Sequence, residues 1–179
     1  AEQASYAGGS RVAVAPDGKV WVTTGAPFGE GAQDLSTPYG KVLRFNEDGS
    51  IPSDNPFVGR SGAHPAIYSY GHRDQHGLTV HPETGQAFTV EHGPNGGDEA
   101  NLIEPGGNYG WPDYSFGRNY DGSDLTELPF GPGTKEPLLV WLPSIAPSGL
   151  MFYTGDKFPQ WQNSLIIGAL SGQQRQESH

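Results

Sequence analysis

The chain has 179 residues, enough for one domain with a real core, and its twenty acidic against ten basic residues give a formal net charge of −10. That balance argues against a polyanion-binding surface, which needs clustered Lys and Arg, so nucleic acid is not an expected partner. Cys is absent, which removes disulfides and thiolate metal sites, and no apolar run approaches the ~20 residues of a membrane span.

The first predicted element is a hairpin over Arg11–Thr24, where apolar residues alternate up to a turn at Asp17-Gly18 and alternate again beyond it. A further strand follows at Lys41–Phe45. The pattern recurs at Gly77–Val90, with its following strand at Glu99–Ile103, and again at Gly149–Asp156 with Leu165–Leu170. A recurrence of about 70 residues suits four-stranded antiparallel blades with long loops, so the fold class expected is all-β, a β-propeller. About three blades fit, roughly at 8–60, 66–112 and 136–179, within a single partial domain over 1–179. The segments 26–39 and 105–136 are long loops rich in Gly, Pro, Asp and Asn, and no segment has a convincing helical period. A half ring would leave sheet edges bare, so a second copy or a complementary propeller half is an expected partner.

Unusual residues concentrate in 71–112: Gly71–Gly77, then Glu91–Ile103, then Gly107–Pro112. Between His92 and Glu99 an imidazole, an amide and two carboxylates share a Gly/Pro-rich turn that exposes backbone carbonyls. Carbonyls with carboxylates are what a hard cation such as Ca²⁺ requires; a solvated polar loop is the alternative reading of the same residues. His72 and His76 are four apart but lack a third ligand in their loop, so a zinc site is not expected there.

These stretches, with Leu142–Gly149 and Phe152–Asp156, resemble the soluble quinoprotein sugar dehydrogenases of the glucose/sorbosone dehydrogenase family over nearly the whole chain. The resemblance implies a six-bladed propeller of which about half is present. It implies oxidation of the C1 hydroxyl of an aldose sugar by hydride transfer to pyrroloquinoline quinone, a Ca²⁺ on that quinone, and a separate electron acceptor. It places Arg73, Asp74, His92, Asp98, Tyr120, Ser144 and Ser171 around the quinone, and the carbonyls of Gly93 and Pro94 on its Ca²⁺. Glu99 and the carbonyl of Tyr109 would serve a second, structural Ca²⁺. A periplasmic or secreted bacterial location follows from the same resemblance. Three departures stand out. The family's general-base His falls on Ala7, or on Tyr6 after a one-residue slip. Its Asn after the Arg is Asp74, and a Lys common near the quinone is Ser171. The alternative function is therefore a non-catalytic, calcium-stabilised propeller segment that binds sugar or another chain.

Overall fold

The computed structural model describes residues 8–171 and is almost entirely sheet; its one helical turn among them is a 3₁₀ turn at Pro159–Trp161. Four strands, β1 (Val12–Val14), β2 (Val20–Thr24), β3 (Lys41–Phe45) and β4 (Ile67–Tyr70), pair antiparallel in sequence order. A second sheet repeats the order with β5 (Gln75–Val80), β6 (Ala87–Glu91), β7 (Asp98–Ile103) and β8 (Leu139–Trp141). The third holds β9 (Pro147–Phe152) and β10 (Leu165–Ala169). The first strand of the second sheet, β5, packs between β1 and β2 on one side and β9 on the other. The sheets thus follow one another as blades of a partial β-propeller.

The blades are cut later in the chain than the repeats alone suggest. Ile67–Tyr70, expected to open the second blade, closes the first, and Leu139–Trp141, expected in the third, closes the second. These fourth strands are short and each follows a long loop, so they carry too few alternating residues to register as a period. The third blade has two strands among the described residues, the hairpin that the repeat places there.

Packing between sheets explains the repeat. Trp21, Val42, Leu78, Ala87, Ile103 and Tyr109 form the core between the first two sheets. Val90, Ala100 and Trp141 pack with Leu150 and Ile167 between the second and third. Gly77 is required by close approach. A Cβ there would stand 2.5 Å from Leu150 Cδ2 and 2.6 Å from Val90 Cγ2. The fully buried Gln75 donates to the carbonyls of Thr24 (3.1 Å) and Lys41 (2.9 Å), which ties the second sheet to the first beside the candidate site.

Candidate functional site

The β4–β5 connection, the β6–β7 connection and the loops at 108–117 and 144–146 converge at one end of the second sheet. Arg73 lies in the first of these and is buried, 7% exposed. Its Nη1 donates to the His92 carbonyl at 2.8 Å, and its guanidinium lies 5.2 Å from the centre of the Trp111 ring. Trp111 is held in turn by a hydrogen bond from Nε1 to the Ala26 carbonyl at 2.7 Å. Arg73 Nε is buried with no partner among the described residues. A buried cationic donor left in this state suits an anionic ligand.

Asp74 shares its two oxygens. Oδ1 accepts from the Gly9 N–H and Oδ2 lies 3.1 Å from His76 Nε2. Burial pushes the Asp74 carboxyl up, but the Gly9 N–H, His76 and the Arg73 charge outweigh it and hold the group below its ordinary value. His76 occupies an irregularity in the β5–β6 register, between the pairs Gln75↔Glu91 and Gly77↔Val90. Its ring stacks on that of His92, with centroids 4.0 Å apart and planes at 23°. His92 Nε2 lies 2.8 Å from the Pro147 carbonyl, an acceptor only, so that nitrogen carries the proton.

Asp98, the first residue of β7, is fully buried and saturated. Oδ1 accepts from the Gly93 N–H at 3.0 Å, while Oδ2 accepts from the Ser144 hydroxyl and from the Ile145 and Ala146 N–H groups at 2.6–2.9 Å. Asp98 and Ser144 therefore brace the loops around the site with the groups expected to face the quinone. Gly93 is pinned closely: a Cβ would meet the Gly96 carbonyl at 2.0 Å. Pro94 is covered by Gly117, whose own Cβ would stand 2.6 Å from Pro94 Cδ. Among the described residues no backbone N–H meets the carbonyls of Gly93, Pro94 or Tyr109.

Behind this loop lies a second cluster. Glu91 Oε2 is 3.3 Å from His72 Nδ1, and Asn101 Nδ2 spans Glu91 Oε1 (3.4 Å) and Glu99 Oε2 (3.2 Å). The His72 ring stacks on Tyr109 at 4.5 Å. Burial, and then the neighbouring Glu91 charge, push the Glu99 carboxyl well above its ordinary value. Burial likewise pushes the Tyr109 hydroxyl up. Two facing carboxyls either share a proton or hold a cation between them.

The structure thus gathers Arg73, Asp74, His92, Gly93, Pro94, Asp98, Ser144, Glu99 and Tyr109 into one region. Ser171 joins its rim through a backbone N–H to the Ile145 carbonyl at 2.9 Å. Tyr120 does not join: it is 79% exposed, and among the described residues no ring contact or side-chain hydrogen bond ties it to the cluster. Ala7 and Tyr6, the expected positions of the base, lie outside the described residues. Sequence reasoning missed His76 as a partner of His92, Glu91 as a partner of Glu99, and Trp111 as the platform for Arg73. Only the strand register could have revealed the first two, since Glu91 pairs with Gln75 across β5 and β6, beside the shift that holds His76, and with Glu99 across β6 and β7.

The fold is a partial propeller whose middle blade carries a buried guanidinium, several carboxylates and two stacked imidazoles at one end. Comparison with known proteins places it more narrowly. The sequence pattern of the family described as "Glucose / Sorbosone dehydrogenase" matches residues 1–177, and the chain belongs to that family. It is similar to aldose sugar dehydrogenase YliI of Escherichia coli K12, 47% identical over 141 residues, covering 78% of this chain and 38% of that protein. Quinoprotein glucose dehydrogenase B of Acinetobacter calcoaceticus is 35% identical over 191 residues, covering 77% and 39%. Among solved structures, the soluble aldose sugar dehydrogenase of Escherichia coli in the apo form superposes with a TM-score of 0.87 at 40% identity, covering 94% of this chain and 49% of that one. The PQQ-bound aldose sugar dehydrogenase of Streptomyces coelicolor gives 0.69 at 31% identity, covering 92% and 42%. The chain spans less than half the length of each of these relatives.

Proposed function

We propose that this chain is the part of a quinoprotein sugar dehydrogenase that holds pyrroloquinoline quinone and Ca²⁺, in a protein that oxidises the C1 hydroxyl of aldose sugars. The observation that carries the reading is the buried, half-partnered guanidinium of Arg73 beside the 92–98 loop, in a chain of this family. Its free donor fits a cofactor carboxylate, with Trp111 fixing its plane. The carbonyls of Gly93 and Pro94, unpaired among the described residues, fit a hard cation, and Gly93 is kept in place by Asp98. Glu99, facing Glu91, fits a second Ca²⁺ together with the Tyr109 carbonyl.

When bound, the quinone supplies the hydride acceptor and its Ca²⁺ the Lewis acid. This chain's residues bind and orient: Arg73 anchors the acidic edge, and the 144–146 loop, fixed by Asp98, walls the cleft. Asp74, next to Arg73, adds a negative charge that the Arg73 cation and a bound Ca²⁺ offset. A base must also take the hydroxyl proton, and Ala7 cannot. Turnover by the chain alone is therefore expected to be slight, by the 10²–10⁴-fold that loss of a general base typically costs. That departure also favours the second reading, a non-catalytic, calcium-stabilised segment that binds sugar or another chain. A separate electron acceptor and a periplasmic bacterial setting belong to the proposal.

Absorbance titration of the quinone into chelator-treated protein, with and without Ca²⁺, tests it. Saturable, Ca²⁺-dependent binding is expected, weakened about 10–100-fold in Arg73→Gln, the worth of a charged hydrogen bond. Absence of binding, or equal binding by the variant, overturns it. Adding aldoses and a redox dye to the loaded protein then separates the enzyme from the binding segment.

A further inference from the structure

Asp74, His76 and His92 each bring a possible ligand atom to one place, with all three atoms within 4.8 Å of one another. None is required by the quinone's Ca²⁺, which would draw on backbone carbonyls. We propose that these three side chains form a binding site for a divalent ion of the Zn²⁺ type, distinct from the Ca²⁺ positions.

The donor set decides the class of ion. Two imidazoles and one carboxylate are borderline donors that suit Zn²⁺, Co²⁺ or Ni²⁺, whereas Ca²⁺ seeks six to eight oxygens and finds a single carboxylate here. The spacing agrees. Ligand atoms about 2.0–2.1 Å from a tetrahedral Zn²⁺ stand roughly 3.3 Å apart. Asp74 Oδ2 and His76 Nε2 are 3.1 Å apart, with the Nε2 proton between them, which an incoming ion displaces.

The supporting contacts point the same way. A metal-binding imidazole is commonly held by its other nitrogen, which donates to a carbonyl or carboxylate. His92 has that arrangement: Nε2–H donates to the Pro147 carbonyl at 2.8 Å and leaves the lone pair on Nδ1. Asp74 has the carboxylate equivalent, with Oδ1 held by the Gly9 N–H and Oδ2 turned to His76. His76 is the adjustable member. Its side chain retains 28% of its surface and sits at a register shift in the strand, a position that re-aims side chains. Adjustment is needed, because the two imidazoles lie face to face, 4.0 Å apart at 23°, whereas an ion shared by both must lie in the plane of each ring. Binding therefore parts the stack by turning His76. Three protein ligands leave a fourth position open to water or a small ligand.

The test is calorimetric titration of chelator-treated protein, free of quinone, with Zn²⁺ and with Ca²⁺ as the control. One Zn²⁺ per chain is expected at this site, with affinity at least tenfold lower in both His76→Gln and Asp74→Asn. Co²⁺ bound to the unmodified protein should give the visible absorption of a four-coordinate nitrogen–oxygen site, and the ring-current-shifted imidazole resonances of His76 and His92 should move together. No binding of Zn²⁺, or binding that both variants leave unchanged, overturns the proposal. So does a six-coordinate Co²⁺ spectrum with unmoved imidazole signals. Because no quinone is present, failure here leaves the dehydrogenase reading standing, and the reverse also holds.

Discussion

Replacing Asp98 by Ala would strip the acceptor from three backbone N–H groups and the Ser144 hydroxyl at once. Each buried donor left unmade costs about 1–3 kcal/mol, so Asp98→Ala should lose at least about 3 kcal/mol by denaturant melts, and Ser144→Ala only about 1 kcal/mol. A surface carboxylate in a cofactor pocket would show the opposite profile, with binding lost and stability kept. Glu99, one residue on, behaves differently because its carboxyl is raised above the ordinary 4.5. Above pH 4.5 the unfolded chain has released a proton that the folded, Ca²⁺-free chain retains. Stability conferred by the protonated group is complete below the unfolded value and is lost as pH rises through the folded one. Thermal melts in chelator should therefore fall as pH rises from 4.5, Ca²⁺ should stabilise more at the upper end, and Glu99→Gln should flatten both responses. A Ca²⁺ effect unchanged by Glu99→Gln would remove the ion from that carboxylate. The sequence presents Asp98 and Glu99 as equivalent neighbours. Only the pleat of β7 separates them, turning the two side chains to opposite faces of the sheet, one into backbone donors and one towards another carboxylate.

At the scale of elements, the hairpins were legible because alternation and turn residues agree. β1–β2, β5–β6 and β9–β10 lie where the pattern puts them. β4 and β8 were not legible as blade closers, since strands of three or four residues after long loops gain their place from pairing with β3 and β7. The same limit hid the site. His76 meets His92 through a shift in the β5–β6 register, and no spacing along the chain announces such a shift. Gly77, beside that shift, sets how closely the second and third sheets approach. Gly77→Ala should cost about 1–3 kcal/mol by forcing Leu150 and Val90 apart. Pairing it with Leu150→Ala should recover part of that loss, a coupling that a double-mutant cycle measures. Strict additivity would mean that the strain is relieved elsewhere.

At the scale of the whole molecule, among the described residues, the second sheet buries both faces on its neighbours, and the first and third each keep an outer face. On the first, Val12 and Val14 are 65% and 67% exposed and pair with Val22 and Val20. On the third, the paired Met151 and Ile166 are also exposed. Valines in register on an uncovered sheet face form a surface that monomers seldom leave in water, and β1 adds a strand edge to it. The net charge of −10 opposes association at low salt but is screened as salt rises. Sedimentation velocity at rising concentration should therefore detect self-association that strengthens with salt. Val14→Lys should suppress it, because a charge on an edge strand blocks both face packing and strand pairing. Ile166→Glu should do the same only if the end faces of two copies meet each other. A species that remains monomeric at every salt and concentration, or one indifferent to Val14→Lys, would mean that the valine face is tolerated in water and that the expected partner is not a second copy.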